Sequence, residues 1–378
     1  MNYFRDFSSN TLTSGGNQSW FAAEMQTPIT GRVFYRITQG GTFRYSLLFS
    51  NIIDSTYEDG SESYCNRILP PWQLLDAKVG RCSADFFSLE FQTPELAASI
   101  NAQASDFQPL TFGGSRSKDV APGEFFSSDP LPLHFEKDEY LCLELTFRGT
   151  ELPFHPESLL PVYRLTEDGW RYDVRMPLPG MIGCDRPVRR RIGFLGDSIT
   201  AGCGTPMNGY MAWNAVLARK LPDDLAFWNL GLGYGRALDA ASCGAWLYKA
   251  LQNDVLFVCY GVNDLQRYGS AELLIHSLNT IVRYLTLAGK TVILQTIPPF
   301  IYPEEQIAPW NQVNDYIRTV LSKKVACVYD DSICLGDPQI PWQHRYGAHP
   351  DAEGCAIWGN ALYDFLNRLP EEIKETIF

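Results

Sequence analysis

RIGFLGDSITAGCG, Arg191–Gly204, joins an apolar run to a glycine-bearing turn and opens an α/β pattern in this chain. Ile192-Gly-Phe-Leu195 is a short apolar run of the kind that forms a strand buried on both faces. Gly196-Asp197-Ser198 then turns sharply, and residues 207–221 carry helical periodicity. A serine between a strand end and a helix start stands clear of the sheet, near backbone N–H groups that can receive an oxyanion. G-D-S turns also serve as helix caps, so the tripeptide alone decides little. Its weight comes from Gly261-Val-Asn-Asp264 and His349-Pro350 further along the chain.

Downstream of Arg191 the apolar runs Ile192–Leu195, Leu225–Leu230, Val255–Tyr260, Thr291–Thr296 and Val325–Tyr329 alternate with helical segments near 207–221, 236–251, 271–288, 304–323 and 353–368. Repeated β-α units predict a parallel sheet covered on both faces. With right-handed crossovers this is a three-layer α/β/α domain of flavodoxin-like type. Such sheets bind ligands beyond the carboxyl ends of their strands. Gly196–Ser198, Gly231–Gly235 and Gly261–Asp264 follow the first three strands, so their loops are expected on one rim.

Upstream, residues 1–180 read as all-β. Phe43–Leu47, Phe87–Phe91 and Leu141–Phe147 alternate apolar and polar residues with the period of a half-buried antiparallel strand. Turns are marked by Gly40-Gly41, Asp59-Gly60, Gly113-Gly114 and Pro122-Gly123. The pattern predicts a β-sandwich, in which the isolated His134 and His155 have structural or surface roles. The Pro- and Gly-rich segment Met176–Arg190 is expected to link the two domains, set here as 1–180 and 181–378. Its closing basic residues read as a solvated lead-in to the first strand.

The 378 residues suffice for two hydrophobic cores. A formal net charge of −12 would repel a phosphate backbone, which argues against nucleic-acid binding. No apolar stretch approaches the ~20 residues of a membrane span, and Met1–Gly16 lacks the pattern of a secretory signal. Ten cysteines are scattered without a C-x-x-C pair, and Cys142, Cys259 and Cys327 sit inside strand-like runs as small hydrophobes. A reducing, cytoplasmic setting is the expectation. Oligomeric state is not legible.

Ser198 is the candidate nucleophile, and a serine hydroxyl needs a neighbouring base. Among the later histidines, His276 falls within a helix away from the strand ends. His349, in Tyr346-Gly-Ala-His-Pro350 just before the last long helix, is placed to fold over the rim, with His344 second. Asn263 can offer its side-chain amide to an oxyanion, and Ser198 and the Gly233–Gly235 loop can offer backbone N–H groups. Asp197 and Asp264 are expected to brace loops. No His/Asp/Glu cluster has the spacing of metal ligands, and no cofactor is implied.

Together, GDSIT (196–200), NLGLGYG (229–235), GVND (261–264) and AHPDAEG (348–354) resemble, in order and spacing, the blocks of the SGNH or GDSL-type hydrolases. The resemblance covers about residues 190 to 370. It implies a serine ester hydrolase in which Ser198 is the nucleophile, His349 the base, and Asn263 an oxyanion donor. The family's oxyanion glycine falls at Tyr234, which keeps a backbone N–H. A second departure is Tyr346, where the family places the aspartate that holds the histidine. A backbone carbonyl or another carboxylate such as Asp337 or Asp351 then orients His349, or the enzyme runs as a Ser–His dyad. More loosely, FRYSLLFSN (43–51) and PLTFGGSRSKDVAPGEFFSSDP (109–130) resemble the jelly-roll-like β-sandwich preceding the hydrolase domain in some GDSL-type proteins.

Rival readings are weaker. Gly231-Leu-Gly-Tyr-Gly235 lies on the second strand and lacks the G-x-G-x-x-G spacing of a dinucleotide site. Thr200 stands where an α/β-hydrolase elbow needs glycine. The expected substrate is a small-molecule or carbohydrate ester, with a short acyl group such as acetyl. Tyr234, Trp342 and Tyr346 suit either a stacked sugar ring or the wall of an acyl slot. Lysophospholipase- or thioesterase-like acyl hydrolysis, and a carbohydrate-binding protein with a decayed site, are the alternatives.

Overall fold

The structure, a computed structural model, describes residues 3–54, 65–84, 93–335 and 349–378. The expected strand Phe87–Phe91 and turn Asp59-Gly60 lie outside the described residues. The chain divides into two compact units. One comprises chiefly residues up to Asp54, Asn66–Pro187 and the short segment Pro206–Gly209; the other comprises chiefly Val188–Thr205 and Tyr210–Phe378.

The first unit is built on two antiparallel sheets. In one, Gly41–Ser50 pairs with Met181–Cys184, Phe125–Ser127 and Leu131–Phe135. In the other, Tyr140–Gly149 lies between Ile29–Arg36 and Trp72–Cys82. Val33, Tyr35, Leu47, Phe49, Trp72, Leu143 and Leu145, drawn from both sheets, share one core, which makes the pair a sandwich. Phe34, Cys142 and Tyr163 project from the opposite face and pack with Ala97 and Ile100 of the helix Pro94–Ala102. That helix departs from the all-β expectation. Thr93 caps it by accepting from Leu96 N, with proline in the first turn, a start signal that the strand-like periodicity masked. His155 is buried and bonds Ser14 Oγ at 3.0 Å, while His134 bonds Thr42 and Glu136 at the surface.

The second unit holds five parallel strands: β1 (Arg190–Gly196), β2 (Leu225–Gly231), β3 (Val255–Cys259), β4 (Thr291–Gln295) and β5 (Cys327–Tyr329). Their order is β2-β1-β3-β4-β5, so β1 lies between β2 and β3 and the order reverses at it. In open α/β sheets such a reversal marks where ligands bind, which here is beyond the carboxyl ends of β1 and β3. Phe194 of β1 is fully buried among Phe227, Phe257 and Trp213, with ring centroids 5.4–6.1 Å away. Burial of one such side chain is worth about 1.5–3 kcal/mol.

Helices cover this sheet. Ala271–Leu287 buries Leu274, Leu278, Ile281, Val282 and Leu285 along one stripe and is capped by Ser270. Ala352–Asn367 meets Trp213–Ala218 through stacked Trp358 and Trp213, 5.0 Å apart. Two expected helices are shorter. Residues 207–212 do not join the helix at Trp213, because Asn208 and Tyr210 have φ of 52° and 51°. The segment 236–251 splits into Ala237–Ala240 and Ala245–Ala250, interrupted by Cys243 at φ 58° and by Gly244. Cys82, Cys142, Cys184, Cys259 and Cys355 are buried thiols. No helix among the described residues is long and apolar enough to cross a membrane.

Candidate active site

At the carboxyl end of β1 the chain turns through Asp197 into a helical turn, Ser198–Ala201, ahead of the helix expected from residue 207. Asp197 caps this turn, its Oδ1 accepting from Ile199 N at 3.0 Å. Gly202, at φ 109°, ends it, and the N–H groups of Gly202 and Cys203 both donate to Ser198 O at 3.0 Å. Ser198 is thus the first residue of a helical turn, where N–H groups lack intrahelical acceptors. Neighbouring strand ends close tightly on it. A Cβ on Gly231, at the end of β2, would lie 2.2 Å from Ala201 N and 2.4 Å from Thr200 C.

Ser198 Oγ lies 2.8 Å from His349 Nε2. Two features deliver the histidine. Gly204, at φ 95°, brings its Cα against the His349-Pro350 backbone, where a Cβ would stand 2.7 Å from Pro350 O. Asp351 then caps Ala352–Asn367 by accepting from Gly354 N at 2.9 Å, which starts that helix directly after the histidine. Phe300, beyond β4, meets the imidazole edge to face at 6.0 Å and 83°. Burial lowers the His349 pKa from its ordinary value, so the ring is neutral at pH 7 and Nε2 can accept the serine proton.

Among the described residues no carboxylate bonds His349. Asp351 is occupied as a helix cap. At the end of β5, Asp331 bonds Thr296 and Asp330 bonds Arg318. Tyr346, Asp337, His344 and Trp342 lie outside the described residues. His276 is exposed on its helix.

The other two rim loops are tied together. Tyr234 sits at φ 57°, a left-handed backbone that costs a residue other than glycine about 1–2 kcal/mol. The position expected for a glycine thus keeps a glycine-like conformation with a tyrosine in it. Its side chain is 38% exposed. Asn263 follows Gly261 and donates its side-chain amide to Gly235 O at 2.9 Å rather than to Ser198, leaving its second amide hydrogen for another acceptor. Asp264 accepts from Ala237 N at 2.9 Å and from Leu238 N at 3.3 Å. In the same turn, buried Arg236 and Asp239 form an ion pair through two guanidinium nitrogens.

Charge is concentrated under this rim. Burial pushes Asp197 up to about 7, aided by the Asp264 carboxylate, against the pull of the Ile199 N–H. Burial likewise pushes Asp264 up to about 6, against the Ala237 and Leu238 N–H groups that favour its ionised form. The sequence reading missed Phe300, which had no signal beyond an apolar residue after Pro298-Pro299, and the Arg236–Asp239 pair, whose i,i+3 spacing was a usable one.

Residues 194–357 match the model of the GDSL-like Lipase/Acylhydrolase family. The second unit therefore carries a GDSL-type hydrolase domain, and the protein is a carboxylic ester hydrolase. No curated protein matches the chain. Among solved structures, it is similar to a member of the lipolytic protein G-D-S-L family from Veillonella parvula DSM 2008, at 17% identity, 47% of this chain, 99% of that one and a TM-score of 0.40. It is also similar to a carbohydrate esterase family 3 protein from Talaromyces cellulolyticus, at 17% identity, 49% and 98% coverage and a TM-score of 0.36. An acetylxylan esterase from Geobacillus stearothermophilus matches at 18% identity, 47% and 94% coverage and a TM-score of 0.38.

Proposed function

We propose that this ester hydrolase works through an acyl-serine intermediate, with Ser198 as nucleophile and His349 as general base and then general acid. The observation that carries the reading is the 2.8 Å contact between Ser198 Oγ and His349 Nε2. Neutral His349 takes the Ser198 proton as Oγ attacks the ester carbonyl. The protonated ring then gives that proton to the leaving alcohol, and water repeats the sequence to release the acid. The oxyanion is held by the N–H groups of Ser198 and Tyr234 and by the Asn263 amide, each donor worth about 10²–10³ in rate. Phe300, edge to face with the imidazole, steadies the His349 ring.

The proposed substrate is a short-chain acyl ester, an acetyl group on a carbohydrate or other small alcohol. Half-exposed Tyr234 offers a ring on which a sugar can stack. A longer acyl chain is favoured by one observation: Ile301, next to Phe300, is 60% exposed and would give such a chain an apolar contact. The first unit, which includes most of residues 1–180 and runs on to Pro187, serves as an accessory domain, and the buried thiols suit a cytoplasmic setting.

The test is hydrolysis of p-nitrophenyl esters from acetate to octanoate, with wild type beside Ser198→Ala and His349→Ala. Expected are highest kcat/KM on acetate and a loss of at least about 10³-fold in both variants. A maximum at octanoate moves the substrate to longer acyl chains. Wild-type turnover by either variant overturns the assignment.

A further inference from the structure

The segment that carries Tyr234 is held from outside. Tyr234 occupies a left-handed backbone at φ 57° without being glycine. Within the loop, the Gly235 N–H donates to Leu232 O at 2.9 Å, closing the turn. The next bonds come from the segment after β3: the Asn263 amide to Gly235 O, and the Asp264 oxygens to the N–H groups of Ala237 and Leu238. Asp264 therefore grips the chain on the far side of Gly235 from the strained tyrosine. Two N–H groups pointing at two separate oxygens require an acceptor at both positions, and a carboxylate supplies that where a carboxamide cannot.

We propose that Asp264 is a positioning residue for the Tyr234 amide: by clamping Ala237 and Leu238 it keeps the Gly231–Gly235 loop in the left-handed turn from which the Tyr234 N–H serves the oxyanion. The proposal rests on the reading of Ser198 as nucleophile and Tyr234 as a donor. It gives the buried carboxylate a task. Protonation turns one of its oxygens into a donor facing an N–H, so the clamp is made only by the ionised form. Asp264 is in electrostatic reach of Asp197, Asp239, Arg236, Tyr260 and Tyr302, of which Arg236 is the cation. As pH falls, Asp264 and His349 each take up a proton that stops turnover, and two protons steepen the acid limb of the rate profile.

Asp264→Asn tests this, with Ser198→Ala measured beside it. The expected result is a fall in kcat of about 100-fold, the cost of one misdirected oxyanion donor, with KM unchanged within about twofold. The acid limb of log kcat/KM should lose one proton of slope. In a Tyr234→Gly background, where φ 57° carries no strain, the same substitution should cost less than about tenfold. Wild-type kcat in Asp264→Asn, or an equal loss in both backgrounds, overturns the proposal. If Asp264→Asn does not fold, Ala237→Pro decides. It deletes one N–H of the clamp at the first helical position, which accepts proline, and should lower kcat by at least about tenfold, so wild-type turnover overturns the role. An inactive Ser198→Ala beside a fully active Asp264→Asn removes the positioning role alone. Full activity in Ser198→Ala removes the catalytic reading on which it rests.

Discussion

Two serine–histidine pairs lie among the described residues, and they differ in everything but the bond. In the sandwich, Ser14 Oγ meets His155 Nε2 at 3.0 Å, with His155 only 1% exposed. At the rim of the parallel sheet, Ser198 Oγ meets His349 Nε2 at 2.8 Å. Ser14 precedes no helix; Ser198 opens a helical turn, with Asp197 capping it and the bonded Asn263–Gly235 loop across the rim. The sandwich pair fills a buried polar requirement. The rim pair has the surroundings that chemistry needs: N–H groups without intrahelical acceptors, a neutral base, and half-exposed residues such as Tyr234 at the edge. A hydroxyl beside an imidazole is only a part, and the site proposed here needs the parallel α/β rim around it.

The sharpest way to break this comparison is to disturb the rim without touching its side chains. Gly231→Ala places a Cβ 2.2 Å from Ala201 N, so the Ser198 turn must move. The account expects kcat to fall by about 100-fold, as for a misplacement of about 1 Å. Gly114→Ala in the sandwich, where no atom lies within 4 Å of the added Cβ, should cost only the strain of its φ of 82° and leave kcat unchanged. Equal kcat in the two variants, measured on p-nitrophenyl acetate, would refute the close-packing argument.

A second prediction concerns charge. Asp197 has a folded pKa raised above its unfolded value, so the stability it contributes is full below about pH 4 and is lost as pH rises towards about 7. Asparagine caps a helix as well as aspartate but has no charge to bury. Asp197→Asn should therefore gain stability relative to wild type as pH is raised from 4.5 to 8, in urea melts at each pH. His349 works with the opposite sign, since its neutral form is the buried one, but it is common to both proteins and cancels in the difference. A difference that stays flat with pH would show that Asp197 does not titrate in this range.

The smallest effect is expected at the other pair. Ser14→Ala should cost about 1–3 kcal/mol of stability, because the buried His155 ring loses this hydrogen bond, and leave kcat and KM as they are. A large loss of turnover would mean that the sandwich pair does more than fill space.

Much of the α/β unit was legible because its signals are local. Buried parallel strands read as unbroken apolar runs, and β1 to β5 appear within a residue or two of the runs Ile192–Leu195 to Val325–Tyr329. Helix ends were harder. Left-handed residues at Asn208, Tyr210 and Cys243 cut helices that hydrophobic periodicity would have continued; asparagine favours that conformation, but tyrosine and cysteine do not announce it. Ser198 and His349 were nameable from their motifs, and Asn263 from its loop. Their supports were legible only in part: Asp197 and Asp264 were expected to brace loops, but not which groups they hold. Phe300 reaches His349, and Asp264 reaches Ala237 and Leu238, across separations that only the folded sheet closes. Tyr234 taught the reverse lesson: the side chain departs from the expected glycine, while the backbone does not.

The central claim is that Ser198, activated by His349, is the nucleophile. The most direct measurement is covalent labelling with an organophosphonate, located by peptide mass and timed in wild type and His349→Ala. The account predicts one phosphonyl group per chain, on Ser198, forming far more slowly in the variant. Label on another residue, or equal rates in the two proteins, would contradict it.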